Sequence, residues 1–262
     1  MRSTILVATH RPYQFPEDPL YHPIQVGTAL RTIRFGYLYD SSGDNISDKN
    51  DTFCELTALY WAWKNRYFDD SDYVGLVHYR RYFAGDEKFA SDKFGELSIL
   101  DEDSIKTLLS SYDVIVPKKR HYYIETISSH YAHAHYHKDM DILREVVLER
   151  SPEYLQAFDQ VLKQRSLYLY NMFVMSDSLF DSYCQWLFPL LFSLEEKIDV
   201  SGRDAYQKRV FGFMGERLFN VWLRHNTLNT VELEVVNLEG EDLFNKGMEM
   251  LKRKIFSRRR RS

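Results

Sequence analysis

The residues best suited to chemistry stand where an apolar run stops. In VGLVHYRRYF, residues 74–83, four small or aliphatic positions pass directly into His78, Tyr79, Arg80 and Arg81. In open parallel sheets, ligands bind beyond the carboxyl ends of the strands. A strand ending in an imidazole and two guanidiniums therefore presents them where a substrate lies, and paired arginines match a pyrophosphate by bidentate contacts. The competing explanation is a charge cluster at a sheet edge, balanced by local acids such as Asp86.

Two glutamates form the second candidate set. Glu55 lies in KNDTFCELTALYWAWKN, residues 49–65, near a helix start preceded by Asn45 and Asn50. Such a start can hold an anion or a ribose hydroxyl, although the helix dipole by itself favours an acid in a first turn. Glu216 follows Gly212 and Gly215 in GFMGERLFNVW, residues 212–222. A carboxylate there could take the proton of an attacking hydroxyl as general base; capping a helix start is the plainer role. Third come His121, His130, His133, His135 and His137, interleaved with Tyr122, Tyr123, Tyr131 and Tyr136. HAHYH has the look of metal ligands, but alternating histidines in a loop fit a polar surface that contacts an acceptor better.

Three acidic strings resemble metal-diphosphate motifs: Asp70-Ser71-Asp72, Asp101-Glu102-Asp103 and Asp139-Met140-Asp141. The first precedes its strand and the other two open helices, so none stands at a strand's carboxyl end. Cationic side chains are therefore expected to carry pyrophosphate charge in place of a divalent metal, with no cofactor. A nucleotidyl- or phosphotransferase would need a metal-binding carboxylate pair or a Gly-rich phosphate loop, and the sequence has neither.

These residues need a scaffold. Residues 3–9 (STILVAT) and 73–78 (YVGLVH) are apolar enough for strands buried on both faces. Residues 112–117, 167–174 and 230–237 read as further strands. Helices are expected over 51–68, 104–110, 139–164 with a break near Ser151-Pro152, 177–196, and 204–225 with breaks near Gly212 and Gly215. Residues 10–27, with Pro12, Pro16, Pro19 and Pro23, and residues 118–137 read as loops; 86–104 reads only as polar and acidic. Residues 242–260 read as a basic amphipathic helix.

The 262 residues, 44% hydrophobic, can fill the core of one large α/β domain. Cys54 and Cys184 have no zinc or CxxC spacing. Residues 252–262 hold seven basic residues and no acid; their +7 within a net −4 leaves the body at −11. The body is thus ill suited to nucleic acid, while the tail suits an anionic membrane surface. The short apolar run at the start is no secretion signal, and no stretch has the apolar length of a membrane span. A cytoplasmic protein, peripheral on the inner face of the plasma membrane, is expected.

The order THRPY, YHPIQVG (21–27), GDNISDKN and FCELTALYWAWKN (43–65), VGLVHYRRYF (74–83), NMFVMSDSLFDSYCQWLFPLL (171–191) and GFMGERLFNVWL (212–223) resembles a bacterial family from capsular and exopolysaccharide loci. That family was long catalogued as a domain of unknown function and is now regarded as glycosyltransferases, with galactofuranosyl transfer as a characterised activity. The likeness covers most of residues 4–225, and HYRRYF is specific to it. It implies an α/β, GT-A-like fold: a Rossmann-type mixed sheet flanked by helices over 1–241, followed by the basic helix or tail over 242–262. It implies a UDP-sugar donor and a saccharide acceptor, oligosaccharide or lipid-linked, with inversion at the anomeric carbon. By position, Thr9, His10, Asn50, Glu55, His78 and Tyr79 would line the donor side, with Arg80 and Arg81 at the leaving diphosphate. Glu216 would be the base, and His130, His133, His135 and Arg217 would face the acceptor. A non-catalytic nucleotide- or glycan-binding module of a polysaccharide assembly complex is the alternative.

Overall fold

A computed structural model describes residues 2–91 and 95–238. The basic helix expected at 242–260 and the domain boundary at 241 lie outside the described residues. The strands are β1 Ser3–Thr9, β2 Tyr21–Gln25, β3 Leu38–Tyr39, β4 Tyr73–His78, β5 Arg81–Ser91, β6 Gly95–Ile99, β7 Val114–Pro117, β8 Arg120–His121, β9 Ser166–Leu167, β10 Phe173–Ser176, β11 Thr230–Leu233 and β12 Val235–Asn237. The helices are α1 Asn50–Phe53, α2 Leu56–Lys64, α3 Glu102–Leu109, α4 Ile127–Ala134, α5 Lys138–Arg150, α6 Leu155–Leu162, α7 Asp177–Lys197 and α8 Val210–His225.

The main sheet runs β11-β7-β10-β4-β1-β2-β3. Strands β1 to β4 are mutually parallel, β10 is antiparallel to both β4 and β7, and β11 returns parallel to β7. This is the mixed sheet flanked by helices that the sequence led us to expect. Period-2 alternation divides each central strand between two cores. Leu6, Leu76, Val114, Phe173 and Met175 pack among the buried faces of α2 and α5 to α8. Ile5, Val7, Val77, Ile115 and Val174 face the opposite way, onto α3 and the hairpin of β5 and β6. Every residue of β1 is buried, as a strand covered on both faces must be. Among the described residues no helix is long and apolar enough to cross a membrane.

Several local expectations are corrected. Residues 10–27 are not all loop, because β2 holds Pro23 opposite Val7 of β1. Val26 N–H donates to Thr9 O, so even-numbered positions of β2 face β1. Pro23 therefore turns its missing donor to the other side, where pairing with β3 begins only at Ile24. The acidic stretch 86–104 contains most of the β5–β6 hairpin and the start of α3. Residues 118–137 contain α4, opened by a capping box between Thr126 and Ser129. The strand expected over 167–174 is cut by left-handed backbone at Tyr170 and Asn171 (φ 76° and 51°). The helix expected over 51–68 breaks at Cys54 (φ 55°, ψ −133°). Helix α8 runs unbroken through both of its glycines. A Cβ on Gly212 would stand 3.0 Å from Cys54 Sγ and 3.2 Å from its Cβ, and one on Gly215 would stand 2.8 Å from Leu56 Cδ1. These glycines let α8 press against the α1–α2 break; they do not interrupt the helix.

Candidate active site

The registers Thr9↔Gln25 and Ala8↔His78 bring the carboxyl ends of β1, β2 and β4 to one level. The chain leaving them supplies a cationic and aromatic cluster. His10 meets Tyr79 edge-on at 5.3 Å, Arg11 lies 4.9 Å over the Tyr79 ring, and Arg80 lies 5.7 Å from the same ring. Arg81 stands 4.4 Å over Tyr170. Burial, then Arg31, Arg11, Arg80 and Arg209, hold the His10 imidazole below its ordinary value. Burial is also the main reason His78 is pushed down to about 3, with Arg81 and Arg80 adding to it and the contact with Tyr170 O opposing it. His78 Nε2 is 2.6 Å from that oxygen. A carbonyl only accepts, so this nitrogen donates and His78 is a neutral strut between β4 and the Tyr170 turn. Thr9 closes its own turn, with Oγ1 donating to Arg11 O and accepting from Arg11 N–H.

The two glutamates meet beneath this cluster. Asn50 is 7% exposed and its amide is turned inward. Nδ2 donates to Cys54 O at 2.7 Å and Thr57 Oγ1 at 3.2 Å, while Oδ1 accepts from Arg31 at 3.4 Å. Asn50 thus braces the break after α1, and the break aims Glu55 at the β10 entry. There Asn171 Nδ2 donates to Glu55 Oε1 at 2.6 Å. One residue earlier, Tyr170 N–H donates to Glu216 Oε1 at 2.8 Å. Glu216 Oε2 accepts from Arg217 Nη1 at 2.8 Å, and the two side chains are 15% and 3% exposed. Adjacent left-handed residues that are not glycine store strain of a kind found at functional sites; here they hold two carboxyls side by side. Burial raises the carboxyl of Glu55, against Asn171, Arg209 and Arg81. Burial also raises that of Glu216, against Arg217 and the Tyr170 N–H and helped by the Glu55 charge.

Two participants were not anticipated from sequence. Arg209, just before α8, donates from Nε to Cys54 Sγ at 3.2 Å and its charge acts on His10, His78, Glu55 and Glu216. It stands seven positions before Glu216, a spacing that puts both on one helical face and could have revealed it. Asp40 is fully buried and accepts from Gly27 N–H, Thr28 N–H and the hydroxyls of Thr28, Ser47 and Thr57. It anchors the loops after β2 and before α1. No pattern around a single aspartate in a turn-rich stretch announces that role.

The expected acceptor residues divide. His130 stacks on Tyr122 at 3.8 Å, and burial, with Arg217 adding to it, pushes it down to about 4. His135 packs at 4.6 Å on Tyr131, 4.5 Å on Phe213 and 5.6 Å on Tyr206, and its Nδ1 meets Gln207 Oε1. Arg217 lies 5.2 Å over Tyr131. These three form one wall beside Glu216. His133 does not join it: it is 40% exposed and held at 2.6 Å by Glu125. The acidic strings are engaged elsewhere. Asp72 accepts from Arg2 N–H, Asp101 caps α3 through Ser104 N–H, and Asp139 forms a two-pronged ion pair with Arg203 at 2.6 and 2.7 Å. Among the described residues no three His, Cys, Asp or Glu side chains are grouped so that they could hold a metal ion.

A mixed sheet with its helical layer, and a charged cluster at the carboxyl ends of its parallel strands, define an α/β protein of GT-A-like fold. Residues 4–227 match the family described as Domain of unknown function (DUF4422), and the chain belongs to that family. It is similar to a solved structure, the bifunctional glycosyltransferase WbbM in its apo form, with 31% identity and a TM-score of 0.81 over 92% of this chain. The match spans 46% of the WbbM chain, so this chain corresponds to under half of that protein's length. Comparison with curated proteins returned no match.

Proposed function

We propose that this chain is a glycosyltransferase that moves a sugar from a nucleoside-diphosphate donor to a hydroxyl of a saccharide acceptor during surface-polysaccharide synthesis. The observation that carries this reading is the partly buried pair Glu55 and Glu216, bracketed by a cationic cluster at the strand ends and by an aromatic wall. The likeness to a glycosyltransferase over 92% of the chain supports it. The family resemblance makes the donor a UDP-sugar and favours galactofuranose.

The reaction on this reading is a direct displacement. Glu216 takes the proton of the acceptor hydroxyl, and that oxygen attacks the anomeric carbon from the face opposite the leaving group. The bond from that carbon to the phosphate oxygen breaks, its electron pair stays on the diphosphate, and the configuration inverts. Glu55 and Asn171 hold the donor side of the centre, Arg80 and Arg81 attract the diphosphate, and His10 stands beside them. Tyr79 and His78 order that cluster, Thr9 and Asn50 brace the loops that carry it, and His130, His135 and Arg217 bound the acceptor. Charge stabilisation by guanidiniums replaces a divalent metal.

The test is a panel of UDP-, GDP-, CDP- and dTDP-sugars with purified protein, scored for nucleoside diphosphate release with and without a saccharide acceptor. Release of one diphosphate, unchanged by EDTA, is the expected result. No release from any donor supports the binding-module alternative, and loss under EDTA restored by Mn²⁺ refutes the metal-independent step. The acceptor is lipid-linked at the inner leaflet, where the seven positive charges of residues 252–262 favour docking. Removing those residues should release the protein from anionic vesicles, and unchanged vesicle binding would sink the docking role.

A further inference from the structure

We infer that Arg209 is the side chain that recognises the sugar-bearing terminal phosphate of the donor diphosphate. This inference rests on the donor-site reading above and names the group that distinguishes a diphosphate from a monophosphate there. Three observations lead to it.

The first is position. Arg209 Nε donates to Cys54 Sγ, one residue before Glu55, and Arg209 leads directly into α8, which carries Glu216; its charge also reaches His10 and His78 at the strand ends. It therefore lies between the groups suited to phosphates and the carboxyls suited to the reacting centre. In a nucleoside-diphosphate sugar the phosphate joining those two regions is the one bonded to the anomeric carbon. The second is availability. The guanidinium uses Nε on Cys54 Sγ at 3.2 Å, and neither Nη has a hydrogen-bond partner among the described residues. Burial pushes the Cys54 thiol up to about 12, so it stays neutral and is a weak acceptor that gives the guanidinium no counter-charge. The forked edge that pairs with phosphate oxygens is left for a ligand. The third is mounting. Arg209 is exposed, yet it immediately precedes α8, which Gly212 holds tightly against Cys54. Its backbone is fixed relative to Glu216, and its guanidinium lies 5.5 Å over the Phe213 ring.

Arg209 takes up charge as the carbon–oxygen bond breaks, because the departing electron pair settles on the phosphate it contacts. Its effect should therefore appear in affinity for the second phosphate and in turnover, and not in affinity for the nucleoside monophosphate.

The experiment is calorimetric titration of the full chain and of Arg209→Gln and Arg209→Lys with UDP, UMP, GDP and GMP. Wild type should prefer a diphosphate to its monophosphate. Arg209→Gln should weaken the diphosphate about 10- to 100-fold, the range of a charge-assisted hydrogen bond, and leave the monophosphate within about twofold. Arg209→Lys should fall between, since it keeps charge and loses the fork. All three proteins should melt within about 2 °C of one another, as an exposed side chain contributes little to stability. Equal weakening of diphosphate and monophosphate in Arg209→Gln, or unchanged diphosphate affinity, overturns the inference and leaves the glycosyltransferase reading standing. Failure of wild type to bind any of the four nucleotides overturns both.

Discussion

Glu216→Gln separates chemistry from architecture at this site. The substitution keeps the shape and keeps an acceptor for Tyr170 N–H, which lies 2.8 Å from Oε1. The ion pair with Arg217, whose side chain is 3% exposed, is lost, and an amide nitrogen comes to face a guanidinium. A hydrogen bond to a charged group contributes about 1.5–3 kcal/mol. Burial already opposes the ionised form of Glu216, which offsets part of that loss. The expected destabilisation is about 1–2 kcal/mol, or about 2–8 °C in melting temperature for a chain of this size. Removal of a general base costs about 10²–10⁴-fold in turnover, while nucleotide affinity should stay within about threefold, because the base acts in the transition state. The pH profile adds a signature. The base works ionised, so activity rises with pH through a carboxyl value that burial has moved above the ordinary range. That acid limb should disappear in the variant. The assay is diphosphate release at saturating donor from pH 4.5 to 8.5, with a melting curve at each point. A variant that keeps more than about a tenth of wild-type turnover and retains the acid limb would refute the base assignment and turn attention to Glu55.

Gly212→Ala should destabilise by about 1–2 kcal/mol and lower activity, since overpacking of about 1–3 kcal/mol outweighs about 1 kcal/mol of helix propensity. Gly202→Ala, with nothing within 4 Å of the added carbon, should be neutral or slightly stabilising, and equal urea midpoints for the two would remove the close-packing argument. Asp40→Asn turns an amide toward some of five donors and should cost about 3 kcal/mol by urea denaturation. A change under about 1 kcal/mol would mean the loops do not depend on that carboxylate. His78, ordinarily near 6.5 and here about 3, resists protonation when folded. The unfolded chain takes the proton first, so stability should fall as pH drops from about 6.5 toward 3. His78→Gln should flatten that fall, and an equally steep acid limb would show the loss lies elsewhere. His133→Ala, at an exposed imidazole paired with Glu125, should leave turnover within about twofold, whereas His135→Ala should raise the KM for acceptor; the reverse ranking would move the acceptor wall.

Much of the scaffold was legible because local signals and burial agreed. The unbroken apolar runs of β1 and β4 can only be strands covered on both faces, and Ser151-Pro152 stops one helix and starts another. HYRRYF could be placed at a strand end from its abrupt change of polarity alone. Glu216 and Glu55 could be marked as carboxyls with work to do, and their association could not, because 161 positions separate them. The tertiary structure decided that. It turned the chain left-handed at Cys54, Tyr170 and Asn171, where sequence periodicity had predicted unbroken elements, since packing across the β10 entry outweighs local preference at positions without glycine. It also made Gly212 and Gly215 points of close approach where local propensity had read breaks, because a missing Cβ means flexibility or proximity according to what lies opposite. The sequence by itself determined which groups could carry charge, protons and phosphates. Only the folded contacts chose which of them meet, because that depends on what each buried polar atom finds to bond with once water has been excluded.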